Sequence, residues 1–375
     1  MKPIYLDSNA TSPMLPSVWE AMQPFYCDKP GNPSSSHRFG RQARQALEDA
    51  RESIAALLGA LPEEVLFTSG ATEANILAIF GLLADRPPGT IAASPIEHPC
   101  ILEPIRILAE RGFTQVAPAV SSEGVVDPAT VPNDVRLAAL MLANHETGAI
   151  QPVQQLAGRV PVHCDAAAAA GKMLIDFHAL GVKTLSISAH KFHGPKGIGA
   201  LLIRKGVKLK PTLYGGHQQQ AMRPGTEPVA LAVGMAAALA WSMQNLDANR
   251  AKLVALRKRL LALLESHAAP VLLNGPREGE GGLPHTLNVA FPGCRADVLM
   301  MRLDLEGVAC STGSACSSGS LLPSPVLRAM GKTGDALHGA LRISLSALLS
   351  DADIEEAGAR IGRCVQELRS VSDAD

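Results

Sequence analysis

Six short apolar runs constrain this chain more than any other feature: VLFT near residue 65, TIAAS near 90, LAALMLA near 137, VPVHCD near 160, TLSIS near 184 and GALLIR near 199. Segments of helical spacing separate them. Short apolar runs of this kind read as buried strands, and strands alternating with helices build a mostly parallel sheet covered by helices. One intervening helix is well marked by Leu47, Ala50, Ile54, Leu57 and Leu58, and it stops at Gly59, a residue that tolerates the left-handed conformation of a helix end. Hydrophobic residues make up 47% of the chain but aromatics only 3%, so the core must be built from Ala, Leu, Val and Ile.

At 375 residues the chain is long enough for two domains around a cleft. After about residue 265 the pattern changes to a strand-like HTLNVAF (His285 to Phe291), a helix at Ala296 to Leu305, and a Ser/Gly-rich loop at Ser311 to Ser320. A closing amphipathic helix is expected from Asp351 to Arg369, through Ile354, Ala357, Ile361, Val365 and Leu368. We therefore expect a large domain over 15–262 and a smaller one formed by 1–14 with 263–375. A net charge of −1 argues against nucleic-acid binding, which needs a basic surface. The first residues lack an apolar run, and the longest apolar stretch, Val229 to Trp241, is too short to span a bilayer and reads as a core helix. Seven scattered cysteines without a CxxC pair fit a reducing, cytoplasmic setting.

Four segments carry chemistry. In ISAHKFHGPKGIG, Lys191 follows a strand and precedes a glycine-rich turn, a placement that suits imine formation as well as a solvated surface lysine. Asp165 ends a strand before an alanine run, where a carboxylate needs a cationic partner or serves as a helix cap. FTSGATEAN (Phe67 to Asn75) reads as strand, turn and helix, an arrangement whose N-terminal amides bind phosphate. It is not a Walker A loop, and no dinucleotide fingerprint follows any strand. Cys316 sits in STGSACSSGS, too polar to be core, where a thiol can reach a substrate and then a partner. His190 and His193 lack further ligands for a metal site, and none is expected.

In order and spacing these segments resemble the cysteine desulfurases of the nitrogen-fixation and iron–sulfur type, within the class V, fold-type-I pyridoxal-phosphate enzymes. The resemblance runs nearly end to end and includes YLDSNAT, GNPSSSHRFG, EHPCIL, ANHETGAIQP, RPGT, SACSSG and LRISLS. It implies an α/β large domain with a mostly parallel seven-stranded sheet and a smaller α+β domain. It implies a Schiff base on Lys191, Asp165 at the pyridine nitrogen, and His98 stacked on the ring and moving protons. Phosphate contacts would come from Ala71, Thr72, Ser188 and His190, and from Thr226 across a homodimer. Arg342, with Asn32, would hold the carboxylate of L-cysteine. Cys316 would take the sulfur as a persulfide for an acceptor protein such as an iron–sulfur scaffold, leaving alanine.

Three positions depart from the family. Ala168 stands where Gln is usual, His145 where Asn is usual, and Gln219 where Glu is common. The resemblance implies that His145 takes over the hydrogen bond to the cofactor's phenolic oxygen. Rival readings are a selenocysteine lyase or another class V aminotransferase, which has no need of a loop cysteine. An inactive sulfur-relay subunit would be expected to lose Lys191, Cys316 or Arg342, and a nicotinamide dehydrogenase would need the missing fingerprint.

Overall fold

The computed structural model describes residues 2–277, 281–313 and 323–372. Its strands are β1 (Ile4–Tyr5), β2 (Val65–Thr68), β3 (Thr90–Ala93), β4 (Thr114–Val116), β5 (Leu137–Ala139), β6 (Val162–Asp165), β7 (Thr184–Ser188), β8 (Gly199–Ile203), β9 (Leu272–Asn274), β10 (Thr286–Ala290), β11 (Val308–Ala309) and β12 (Ala340–Ser344). The helices are α1 (Pro16–Met22), α2 (Arg38–Leu57), α3 (Ala71–Leu83), α4 (Pro99–Ala109), α5 (Val153–Ala157), α6 (Phe177–Leu180), α7 (Val229–Gln244), α8 (Leu246–His267), α9 (Ala296–Leu305), α10 (Pro325–Ala329), α11 (Gly334–His338) and α12 (Asp351–Ser372).

Seven strands form the central sheet in the order β2-β8-β7-β6-β5-β3-β4. All six apolar runs are in it. The seventh, β4, is an edge strand of partly exposed Thr, Gln and Val, and so leaves no apolar run to read. Only β8 runs against its neighbours. The reason is the short link from β7, because a parallel crossover needs a dozen or more residues. All the other strands share one direction, so β2, β3, β5, β6 and β7 deliver their carboxyl ends to one edge of the sheet.

The exposed edge of β2 is covered by a side chain. Gln219 accepts a hydrogen bond from Phe67 N at 2.7 Å and donates to Phe67 O at 2.9 Å, as a neighbouring strand would. It does so from a left-handed turn in which Gln219, Gln220 and Ala221 all have positive φ. An amide can make both bonds, whereas an ionised Glu could only accept. The departure from the family's common Glu thus has a local use.

α7 is buried on most sides and packs against α1 and α2. Among the described residues no single helix is long and apolar enough to cross a membrane. A second hydrophobic core lies under the three-stranded antiparallel sheet β12-β10-β9, packed by α8, α9 and α12. The chain's start joins this core: β1 pairs with β11, and Ile4 and Leu6 are buried in it. Leu253, Leu256 and Leu260 of α8 also belong to it. Between β1 and α1 the chain crosses the top of the main sheet, so residues 7–12 lie between the two cores.

Candidate active site

A cleft of about 570 Å³ opens along the carboxyl edge of the sheet, where open α/β sheets bind their ligands. Each strand end contributes to it. Ala71 and Thr72 come from the turn after β2, His98 from the exit of β3, and His145 from the exit of β5. Asp165 ends β6, Ser188 ends β7, and His190 and Lys191 follow in a short 3-10 turn. Arg342 enters from β12, so the second core closes the cleft. Asn32 and Thr226 are exposed and do not line it within one chain. Cys316 lies outside the described residues.

One end of the cleft presents donors of the kind that can hold a phosphate. α3 begins at Gly70 without a side-chain cap, leaving its first amides for another acceptor. Gly199 permits this approach: a Cβ there would stand 2.8 Å from Gly70 Cα. Ser188 and His190 add a hydroxyl and a ring nitrogen. Burial, then the nearby Lys191, lowers the His190 pKa to about 4, so its ring is neutral near pH 7. Glu73, although in the first turn, is turned aside. It accepts from Ser69 N at 2.7 Å and pairs with Arg223 at 2.9 Å. Burial raises its pKa, but the bonds from Arg223 and Ser69 outweigh this and leave it below the ordinary value.

At the other end stands Asp165, buried and held on both oxygens. Oδ1 accepts from Ala167 N at 2.9 Å and Oδ2 from Asn75 Nδ2 at 2.8 Å. Asn75 is fully buried and is itself held, with His163 Nε2 2.9 Å from its Oδ1. The other ring nitrogen of His163 lies 2.8 Å from the Thr184 hydroxyl. Burial drives the His163 pKa down to about 4, so the ring is neutral. Because Asn75 Oδ1 can only accept, the proton sits on Nε2 and Nδ1 accepts from Thr184. A neutral train from Thr184 to His163 to Asn75 thus aims the Asp165 carboxylate into the cleft.

The same amide reaches the opposite wall. Asn75 Nδ2 lies 3.1 Å from Cys100 Sγ, and Cys100 Sγ is 2.9 Å from His98 Nδ1. His98 caps α4 by accepting from Cys100 N at 3.2 Å. A backbone N–H can only donate, so Nδ1 is the acceptor and the neutral ring carries its proton on Nε2. Beneath lies Glu97, fully buried, with one oxygen accepting from Met141 N at 2.9 Å. Burial, opposed by the bond from Met141 N and reinforced by Asp165, pushes its pKa well above the ordinary carboxylate value.

His145 stands edge-on to His98, ring centres 5.5 Å apart, with Nδ1 unpartnered. Burial lowers its pKa well below the ordinary value and keeps the ring neutral. Ala168 lines the same cleft and leaves space where the family's Gln would reach. Next to His145, Glu146 accepts from Ser324 Oγ at 2.6 Å, and Gly313 lies so near that a Cβ added there would fall 2.0 Å from the same carboxylate.

Lys191 donates to the carbonyls of Asn9 and Ala10, the latter at 3.1 Å. Arg342 is 1% exposed and pairs with Asp7 at 2.8 Å. His193, by contrast, turns away toward Pro13 O and Trp241. Asn75, His163, Cys100 and Glu97 are the site residues that sequence reasoning missed. A signal existed for His163, which lies two residues before Asp165 and so on the same strand face.

The fold and the cleft together define a class of enzyme. The family model described as "Aminotransferase class-V" matches residues 4–356. The cysteine desulfurase IscS of Dictyoglomus turgidum is 41% identical over 380 residues, covering 98% of this chain and 96% of that one. A solved NifS-like protein superposes with a TM-score of 0.91 at 34% identity, covering 97% of this chain and all of that one. SspA, solved in complex with cysteine, gives 0.80 at 31% identity over 92% and 99% of the two chains. The chain belongs to the cysteine desulfurase family of class V aminotransferase-like enzymes, which are pyridoxal-phosphate-dependent.

Its residues fit that cofactor: amide, hydroxyl and imidazole donors for a phosphate, a carboxylate for a pyridinium, an imidazole wall and an amine.

Proposed function

We propose that the protein is a cysteine desulfurase that takes sulfur from L-cysteine onto Cys316, leaves L-alanine, and passes the sulfur to a thiol of an acceptor protein. The observation that carries the reading is the convergence of Lys191, Asp165, His98 and Arg342 on one cleft from four separate elements. Cofactor contacts are assigned to Ala71, Thr72, Ser188 and His190 at the phosphate, Asp165 at the pyridine nitrogen, His98 over the ring and His145 at the phenolic oxygen. Thr226 would reach the phosphate of the second subunit in a homodimer, and Asn32 would assist Arg342.

Pyridoxal phosphate, when bound, supplies an aldehyde for imine formation and a ring that stores an electron pair. The protein does the rest. Asp165, fixed by Asn75 and Ala167, keeps a proton on the pyridine nitrogen. Arg342 receives the substrate carboxylate on the side that Asp7 leaves open, a charge-assisted pair that orients the amine toward Lys191. Lys191, with its amine free, would carry protons to and from the substrate's carbons. His98, with Nδ1 committed to Cys100 N, presents its Nε2 proton to the reacting side. Cys316, as thiolate, bonds to the substrate sulfur, the carbon–sulfur electrons stay with carbon, and protonation of that carbon gives alanine.

Supplying L-cysteine and a thiol reductant to the yellow holoenzyme tests this. Alanine and sulfide in equal amounts are expected, with neither from Lys191→Ala. A keto acid or pyruvate would place the enzyme among the aminotransferases or lyases instead.

A further inference from the structure

In the first turn of α4 a cysteine touches two polar side chains at once. Cys100 is half-buried in the wall of the cleft, with Sγ 2.9 Å from His98 Nδ1 and 3.1 Å from Asn75 Nδ2. A free cysteine ordinarily packs as a small hydrophobe, but neither of these neighbours is apolar. The direction of each bond follows from the hydrogens available. His98 Nδ1 accepts from Cys100 N at 3.2 Å, so it bears no proton, and at the shorter contact the thiol is the donor. Asn75 Nδ2 carries two hydrogens. One goes to Asp165 Oδ2 at 2.8 Å, which leaves the other for Cys100 Sγ. The thiol is thereby acceptor and donor together, and it joins the amide that fixes Asp165 to the ring of His98.

We propose that Cys100 is a positioning residue for His98: its S–H holds the ring in place with the proton on Nε2, and ties it through Asn75 to Asp165. What that Nε2 proton does in the reaction rests on the proposed function; the hydrogen bonds do not.

The consequence is electrostatic. A second proton could join the ring only at Nδ1, where it would meet the hydrogen of the thiol, so a donor at Nδ1 opposes the doubly protonated ring. Five other groups act on the same ring. Glu97 in the turn before it and Asp165 at the end of β6 favour a positive charge there, whereas Lys191, Arg342 and the edge-on His145 oppose one. All five remain when only the sulfur is removed, so a change in His98 protonation is then assignable to the thiol.

Holoenzyme labelled with ¹⁵N-histidine provides the test, through ring proton–nitrogen correlation spectra recorded from about pH 8 down to about pH 5. The His98 signal is assigned by its loss in His98→Gln. The wild type should carry its proton on Nε2. Cys100→Ala should become doubly protonated at a pH higher by roughly half to one unit, the worth of one hydrogen bond of about 0.5–1.5 kcal/mol at about 1.4 kcal/mol per unit. Cys100→Ser, whose hydroxyl also donates, should titrate close to the wild type. If Cys100→Ala fails to fold, Cys100→Val, which fills the space without a donor, takes its place. Identical titrations of the wild type and the Ala or Val variant would overturn the proposal, as would a Ser variant that behaves like Ala or a wild-type ring with its proton on Nδ1. The spectra need no turnover, so failure of the functional reading, seen in the products formed from L-cysteine, is distinguishable.

Discussion

Replacing His163 with Gln should flatten the acid limb of the stability curve by an amount set by the burial of that ring. In the folded chain His163 titrates at about 4 instead of 6.5, while in the unfolded chain it is an ordinary histidine. Between those values the unfolded state binds the extra proton, so stability from this group is complete above about pH 6.5 and is lost as pH falls toward 4. At about 1.4 kcal/mol per pH unit the loss amounts to about 3 kcal/mol, a large part of the 5–15 kcal/mol that typically holds a domain together. Gln keeps a donor for Asn75 Oδ1 and an acceptor for Thr184 but cannot take a proton. Urea unfolding of the two proteins, followed from about pH 7.5 to about pH 4.5, should show the difference in unfolding free energy moving in the variant's favour by about 3 kcal/mol. His145, His190 and His285 titrate in both proteins, so they drop out of the difference. Parallel pH curves would refute the neutral train behind Asp165.

Gln219→Glu should lower stability by about 1–3 kcal/mol near neutral pH by leaving Phe67 O unpaired beside a buried charge, and thermal unfolding reads it. Gly313→Ala places a Cβ against the Glu146 carboxylate; sulfide release should fall while the cofactor's visible absorbance persists, because the substituted residue lies three positions before Cys316 in sequence and does not line the cofactor cleft. Arg342→Lys should raise KM for cysteine roughly 10- to 100-fold, the worth of a lost charge-assisted hydrogen bond of about 1.5–3 kcal/mol, as measured by steady-state alanine formation.

The sheet was legible because six of its strands are continuous apolar runs, the mark of strands buried on both faces. β4 was not, since an edge strand with Thr114 and Gln115 exposed satisfies no pattern. Lys191 and Asp165 could be picked out because chemistry-bearing residues at strand ends face the carboxyl edge of an α/β sheet whatever their neighbours, whereas His98 followed only from the resemblance to the family. Asn75, Cys100 and Glu97 could not. The roles of Asn75 and Cys100 depend on which faces of α3 and α4 meet Asp165 and His98, and that of Glu97 on the turn between β3 and α4; a buried Asn or Cys in a helix looks like packing until its partners are known. Gln219 was read only as a departure, since nothing local in a run of Gln residues foretells three successive positive φ values.

Transfer of sulfur to Cys316 can be seen in one turnover of holoenzyme with L-cysteine in the absence of reductant, followed by mass spectrometry of the Cys316 peptide. This peptide should gain one sulfur atom as alanine forms in equal amount, and Cys316→Ser should keep the cofactor's absorbance yet release no sulfide. Alanine formed with Cys316 unmodified, or sulfide released by Cys316→Ser at the parent rate, would contradict it.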